Sequence, residues 1–205
     1  MSEIILKELI QRGKMKTWNK YRGWFFLSLF AHQYIWSQPM NIPASNPQDQ
    51  EPRTVQSVDL KKYIGIWYEI AKIPNSFQKK CECNTTATYS LRDDGRIDVL
   101  NRCTGHDGTV QEAKGIARVA DTVTNSKLEV SFVRLLGLQL FWGDYWIIGL
   151  DDNYRYAIVG SPTRKYGWIL SRTPALPEAD QKRIFEILKV QGYDPALFIF
   201  TDQKQ

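Results

Sequence analysis

Beyond Val58 the chain alternates apolar and polar residues in short runs, and clusters of Gly, Pro, Asp and Asn interrupt it roughly every ten residues. A period of two sends successive side chains to opposite faces, so each run reads as a half-buried strand. The first run is 67–73, ended by Pro74. Runs 85–91 and 97–103 flank Asp93-Asp94-Gly95, a hairpin signal because Gly and Asp tolerate positive φ. Runs 110–120 and 127–133 follow; 144–150 and 154–159 then flank Asp151-Asp152-Asn153, and 166–172 closes the series. Eight strands in sequential hairpins predict an all-β fold, an eight-stranded antiparallel up-and-down β-barrel that leaves no unpaired edge.

The period changes after Pro177. Ile184, Ile187, Leu188 and Gln191 fall on helical spacing, and Gly192 stops the pattern. Pro177 suits the start of a helix, Glu178 and Asp180 its positive N-terminal end, and Lys189 its other end. One C-terminal helix is therefore expected to pack its Ile/Leu face on the barrel wall. The tail 197–201 has the pattern of a further edge strand.

The N-terminal stretch does not follow this pattern. From Met15 it reads MKTWNKYRGWFFLSLFAHQYIWSQP, with Lys16, Lys20 and Arg22 ahead of an apolar run from Gly23 to Ala31. The run is far shorter than the roughly 20 residues of a spanning helix, and a basic start before a short apolar segment is the pattern of a secretory signal. Residues 1–37 are accordingly read as a leader whose signal peptide starts at Met15, with Ser37 and Ala44 as candidate small residues at the cleavage site and an uncleaved anchor as the alternative. Residues 38–58, with Pro39, Pro43, Pro47 and Pro52 amid Asn, Gln and Ser, have linker composition, and 59–205 is the expected domain. A secretory leader of this kind predicts an exported protein.

Composition narrows the function. The 205 residues are 43% hydrophobic and 24% charged, ordinary for a globular protein, while 13% aromatic content suits a packed core or a lined pocket. The net charge of +5 is scattered rather than striped, which argues against nucleic acid and leaves a mild attraction to anionic membrane surfaces. Of the two histidines, His32 lies in the leader and His106 in a Gly-rich turn. No phosphate loop or nucleophile elbow accompanies them, so no catalytic residue and no cofactor is assigned. Cys81, Cys83 and Cys103 are an odd set for an exported domain. Folding the hairpin at Gly95 brings Cys103 near the Cys81/Cys83 end, so a disulfide from Cys103 to one of them is expected, with the other free. Cys81-x-Cys83 is too short for structural zinc spacing, and no metal site is assigned.

Three blocks in order resemble the signature of the lipocalin family. Gly65-Ile66-Trp67-Tyr68 is similar to its G-x-W-Y block. Asp151 with Tyr154 resembles its T-D-Y block loosely, since Leu150 replaces Thr and two residues intervene. Ser171-Arg172 resembles the third. The stretches GIWYEIAKIPNSFQ, YSLRDDGRIDVLNRC, GWILSRTP and QGYDPALFIFTDQ are similar to the family's bacterial and apolipoprotein-D-like branch. The resemblance implies a lipocalin calyx that binds fatty acids, lysophospholipids or related lipids outside the cytoplasm. It also implies a structural role for Gly65, Trp67, Asp151, Tyr154 and Arg172, with Arg172 crossing Trp67 at the closed end in a cation–π contact. The branch's best-known bacterial members are outer-membrane lipoproteins with a lipidated Cys just after the signal, so the resemblance implies a place in the periplasm or at the outer membrane; here the first Cys beyond the apolar run is Cys81, inside the expected domain.

Strand parity then names the interior. On the fifth strand Lys127, Glu129 and Ser131 are expected to face water and Leu128, Val130 and Phe132 the interior. Thr85, Ala87 and Tyr89, then Ile97, Val99 and Asn101, face inward on the second and third strands. Tyr166, Trp168 and Leu170 do so on the last, and the family likeness adds Tyr145, Ile147, Ala157 and Val159. Such a lining suits a long apolar ligand with one polar end, or merely fills a small barrel. The uncharged segment Leu135-Leu136-Gly137-Leu138-Gln139-Leu140-Phe141-Trp142 is either a tip packed under the barrel or an exposed patch. Two functions follow: a monomer or weak homodimer that binds and stores or transports a small hydrophobic ligand in the cell envelope, or an envelope interaction protein with a filled barrel that docks through residues 135–142.

Overall fold

The computed structural model describes residues 50–204. The proposed leader and most of the Pro-rich stretch lie outside them. Eight antiparallel strands close a barrel: β1 (Gly65–Lys72), β2 (Cys81–Leu91), β3 (Ile97–Gly105), β4 (Val110–Val119), β5 (Lys127–Ser131), β8 (Gly143–Leu150), β9 (Tyr156–Gly160) and β10 (Gly167–Ser171). Closure comes from β10, which pairs with both β9 and β1. A two-stranded hairpin, β6 (Val133–Leu135) and β7 (Leu138–Leu140), stands between β5 and β8. A four-residue helix α1 (Leu60–Tyr63) precedes β1; α2 (Glu178–Val190) and a short β11 (Ile199–Phe200) follow β10.

Helix α2 begins directly after Pro177 and ends before Gly192, whose φ of 77° suits glycine. Its buried Ile184 and Leu188 face the outer wall, among Ile70, Trp146, Ile148, Tyr156, Ile158 and Ile169. Full burial of such a side chain stabilises by about 1.5–3 kcal/mol, so this stripe is what holds the helix to the sheet.

The open half of the barrel is less regular. β1 pairs with β2 only from Gly65 to Tyr68, and bulges interrupt β1 beyond Glu69 and β2 around Asn84, whose φ is 54°. The C-terminal tail occupies the place where they part. Phe200 and Ile199 pair with Ala71 and Lys72, and Asp202 bridges Cys83 on the other side.

Two expectations need correction. The fifth strand ends at Ser131 rather than Val133, and Ser131 is buried instead of facing water. The β6–β7 hairpin doubles back over it: the Gln139 amide donates to the Ser131 carbonyl at 2.8 Å, and the Ser131 hydroxyl donates to the Leu140 carbonyl. The seventh strand starts at Tyr156, not Tyr154, because the Asp151 carboxylate accepts from the backbone N–H of both Asn153 and Arg155 and lengthens the turn. Of the two alternatives for 135–142 the structure takes the exposed one: the segment belongs to the β6–β7 hairpin and its end, with Leu136 94% exposed and Phe141 81%.

The end of the Pro-rich stretch lies on the barrel. Val55 N–H donates to the Ile147 carbonyl and Val58 N–H to the Thr124 carbonyl, and Val58 is buried in the interior cluster.

Candidate functional site

One end of the barrel is plugged. Asp59 caps α1 by accepting from Lys61 N–H, which sets Tyr63 under the barrel. Trp67 is fully buried and donates through Nε1 to the Tyr63 carbonyl at 2.8 Å. The Arg172 guanidinium lies 3.8 Å from the Trp67 ring centroid. It donates to the carbonyls of Lys62, Tyr63, Ile64 and Ile66 at 2.6, 3.1, 3.0 and 2.8 Å. Gly65 has φ of 98°, and a Cβ there would meet Arg172 Nη1 at 3.3 Å, so the close approach needs glycine. Asp151 belongs to the same end, and Arg155 ties its carboxylate to Asp180 on α2. Burial pushes the Asp151 carboxyl up, but hydrogen bonds from Arg155 and from backbone N–H groups outweigh this and hold it below the usual range. Tyr154 accepts from Asp59 N–H through its hydroxyl. An open surface cleft among Lys62, Asp152, Asn153, Tyr154 and Arg172 lies outside this plug, not in the barrel.

The interior is apolar with a polar thread. Tyr89, Val99, Leu128, Ile147, Ala157, Val159 and Leu170 form one cluster with Trp67, and Val130, Tyr145 and Trp168 pack against it. The Tyr145 hydroxyl joins those of Tyr63 and Tyr89 at 2.8 and 3.0 Å. Burial pushes the Tyr89 hydroxyl up to about 12, and Tyr63 and Tyr145 are raised for the same first reason. Among the described residues, the buried Thr85 Oγ1 and Asn101 Oδ1 have no hydrogen-bond partner.

The interior opens at the other end. Cross-strand partners Trp67, Ala87, Asn101 and Ala113 run around the inner face from β1 to β4, and exposure rises from buried at Trp67 to exposed at Ala113. The cause is register: β5 pairs only with Ile116–Val119, so the first half of β4 has β3 alone as neighbour. Phe132 sits at this rim against Gly115 and is 41% exposed, rather than in the interior cluster. Tyr166 stacks on Trp168, and Phe77 of the β1–β2 loop meets both, 5.5 Å from Tyr166 and 6.2 Å from Trp168.

Several residues at this site were not singled out from the sequence. Glu69 is 3% exposed and Lys72 8%, and they pair at 2.7 Å. Gln78 and Thr201 both donate to Glu69 at 2.6 Å, and Gln78 accepts from Trp168 Nε1. The signal for Glu69 was present: it lies two residues from Trp67 and shares its face. Gln78 and Thr201 arrive from loops, where no period applies. Cys81 is bonded to Cys103, and Cys83 is a buried free thiol.

A lipocalin-like domain model matches residues 58–203. The chain belongs to the lipocalin family. Lipocalins bind small hydrophobic ligands. The chain is 39% identical over 164 residues to outer membrane lipoprotein Blc of Escherichia coli, covering 79% of this chain and 89% of that one. It is 38% identical over 159 residues to apolipoprotein D of Mus musculus, covering 74% and 80%. Insecticyanin from the tobacco hornworm Manduca sexta superposes with a TM-score of 0.62 at 23% identity, over 75% of this lipocalin and 85% of insecticyanin. That structural likeness concerns the fold.

Proposed function

We propose that this lipocalin binds and stores or transports a small hydrophobic ligand, a fatty acid, lysophospholipid or similar lipid, within its barrel in the cell envelope, and that it is not an enzyme. The observation that carries this reading is the pair of partnerless buried polar atoms, Thr85 Oγ1 and Asn101 Oδ1, on the inner face of a barrel otherwise lined by apolar and aromatic side chains. A buried polar atom without a partner costs about 1–3 kcal/mol, so a molecule that supplies the missing bonds is stabilised there. Tyr89, Val99, Leu128, Val130, Tyr145, Ile147, Ala157 and Val159 would contact its chain, with Trp168, Tyr166 and Phe132 toward the mouth. The envelope location rests on the leader pattern and on the likeness to an outer membrane lipoprotein.

Native mass spectrometry of the purified full-length protein, followed by analysis of the extracted molecules, tests the reading. A bound lipid that a fluorescent fatty acid displaces supports it; a protein that carries none and binds none overturns it.

A second reading is favoured by the exposed hairpin. Leu135, Leu136, Leu138 and Phe141 form an apolar surface at the open end, which suits docking to a membrane or a second copy. A filled barrel together with an apolar-patch dimer in solution would favour this function over ligand carriage.

A further inference from the structure

The partnerless atoms do not stand alone on the inner face. Continuing the β1–β2 register, in which Trp67 faces Ala87, places Glu69 level with Thr85. The Gln203 side-chain amide confirms the proximity: it donates to the carbonyls of both Glu69 and Thr85, at 2.8 and 2.9 Å. Asn101 is the cross-strand partner of Ala87, next along the same wall. Glu69 is also opposite Leu170 of the interior cluster, and Lys72 is opposite Trp168. One side of the calyx therefore carries Glu69, Lys72, Thr85 and Asn101, and the other walls are apolar and aromatic, with the hydroxyls of Tyr63, Tyr89 and Tyr145 bonded to one another.

The charge state of this wall is balanced. Glu69 accepts from Lys72, Gln78 and Thr201, so its charge is well solvated by the protein. Lys72 has three N–H donors and, among the described residues, one acceptor, Glu69 Oε1. The unmet capacity is thus mixed: N–H donors of Lys72, an acceptor or donor at Thr85 Oγ1, and an acceptor at Asn101 Oδ1, whose amide can also present its NH₂ by a flip. A ligand anion would complete the Lys72 bonds but leave the buried pair with one negative charge in excess, and an uncompensated buried charge is strongly unfavourable. A head group with hydroxyl and ester oxygens offers donors and acceptors together and adds no charge.

We infer that this wall is the head-group site of the calyx and that it selects an uncharged, hydroxyl-bearing lipid of the monoacylglycerol type over a free fatty acid of the same chain length. The inference rests on the lipid-binding reading above and narrows it to a chemical class.

The test compares 1-monomyristoylglycerol with myristate, both below their aggregation concentrations at pH 8, by displacement of a fluorescent lipid from delipidated full-length protein. The glycerol ester should bind tighter by on the order of tenfold, the scale of one lost polar interaction. The Thr85→Val/Asn101→Leu double variant removes the partnerless atoms, so it should keep or raise the thermal midpoint while the preference falls to about twofold or less. Glu69→Gln leaves the Lys72 charge uncompensated and should turn the preference toward myristate. If that variant does not fold, the double variant decides the assignment alone. Equal or tighter myristate binding by the wild type overturns the inference and leaves lipid binding intact. An unchanged ratio in the double variant overturns the site assignment. If neither lipid binds, both the inference and the reading beneath it fall.

Discussion

Arg172 spans the closed end of the barrel with its guanidinium stacked 3.8 Å from the Trp67 centroid and its N–H groups on four carbonyls that lead from α1 into β1. One side chain therefore joins the last strand of the barrel to the first and seats the plug between them. A planar five-donor fork is required for this, and the point charge of lysine does not reproduce it. Burial lowers the Arg172 proton affinity, yet the group stays ionised throughout the working range because its ordinary value is so high.

Replacing Arg172 with lysine should destabilise the protein by about 2–4 kcal/mol, since several charge-assisted bonds and the ring stack are lost together. Urea denaturation of the two proteins measures it. A loss under half a kcal/mol would contradict a bracing role.

The disulfide closes a 22-residue separation between Cys81 and Cys103. Chain-entropy arguments give such a loop about 3 kcal/mol. Cys103→Ala should lower the thermal midpoint accordingly, and Cys83→Ala, which keeps the bridge, should lower it less. Peptide mapping without reduction should recover the 81–103 link and find the Cys83 thiol unreactive until the protein unfolds.

Tyr63, Tyr89 and Tyr145 are held neutral by burial, with Tyr89 raised to about 12. In the unfolded chain they ionise near 10, so between those values the unfolded state binds fewer protons. Their contribution is fully present below pH 10 and is lost as pH rises toward 12. Alkaline unfolding should therefore accompany their ionisation, followed by tyrosinate absorbance and circular dichroism together. Tyr145→Phe should cost about 1–3 kcal/mol, because the hydroxyls of Tyr63 and Tyr89 both lose their partner.

The exposed hairpin predicts partition onto liposomes by co-sedimentation. Leu138→Asp should abolish that partition while changing stability by less than about 0.5 kcal/mol, because Leu138 lies on the surface. Retained partition would show that β6–β7 is not the contact.

Strand order, the terminal helix and the identity of most inward residues were legible because period two and period 3.6 are local properties of the chain. Val99 and Leu128 follow from alternation and Asp93-Asp94-Gly95 from turn chemistry, whereas Ile147 and Val159, on strands apolar on both faces, were placed inward only by the family likeness. Where alternation met a bulge or an interrupted strand it failed: Ser131 is covered by a hairpin, and Phe132 stands at the rim. The choice of Cys81 over Cys83 for the disulfide turned on the bulges around Asn84, which spacing does not encode. The polar wall was hidden for a different reason. Glu69, Gln78 and Thr201 come from β1, a loop and the C-terminal tail, and only the closed barrel brings these separate segments within hydrogen-bond reach. Local sequence thus determined strand order and the alternation within uninterrupted strands, while tertiary structure decided which buried polar groups satisfy one another and which, like Thr85 Oγ1 and Asn101 Oδ1, have no partner among the described residues.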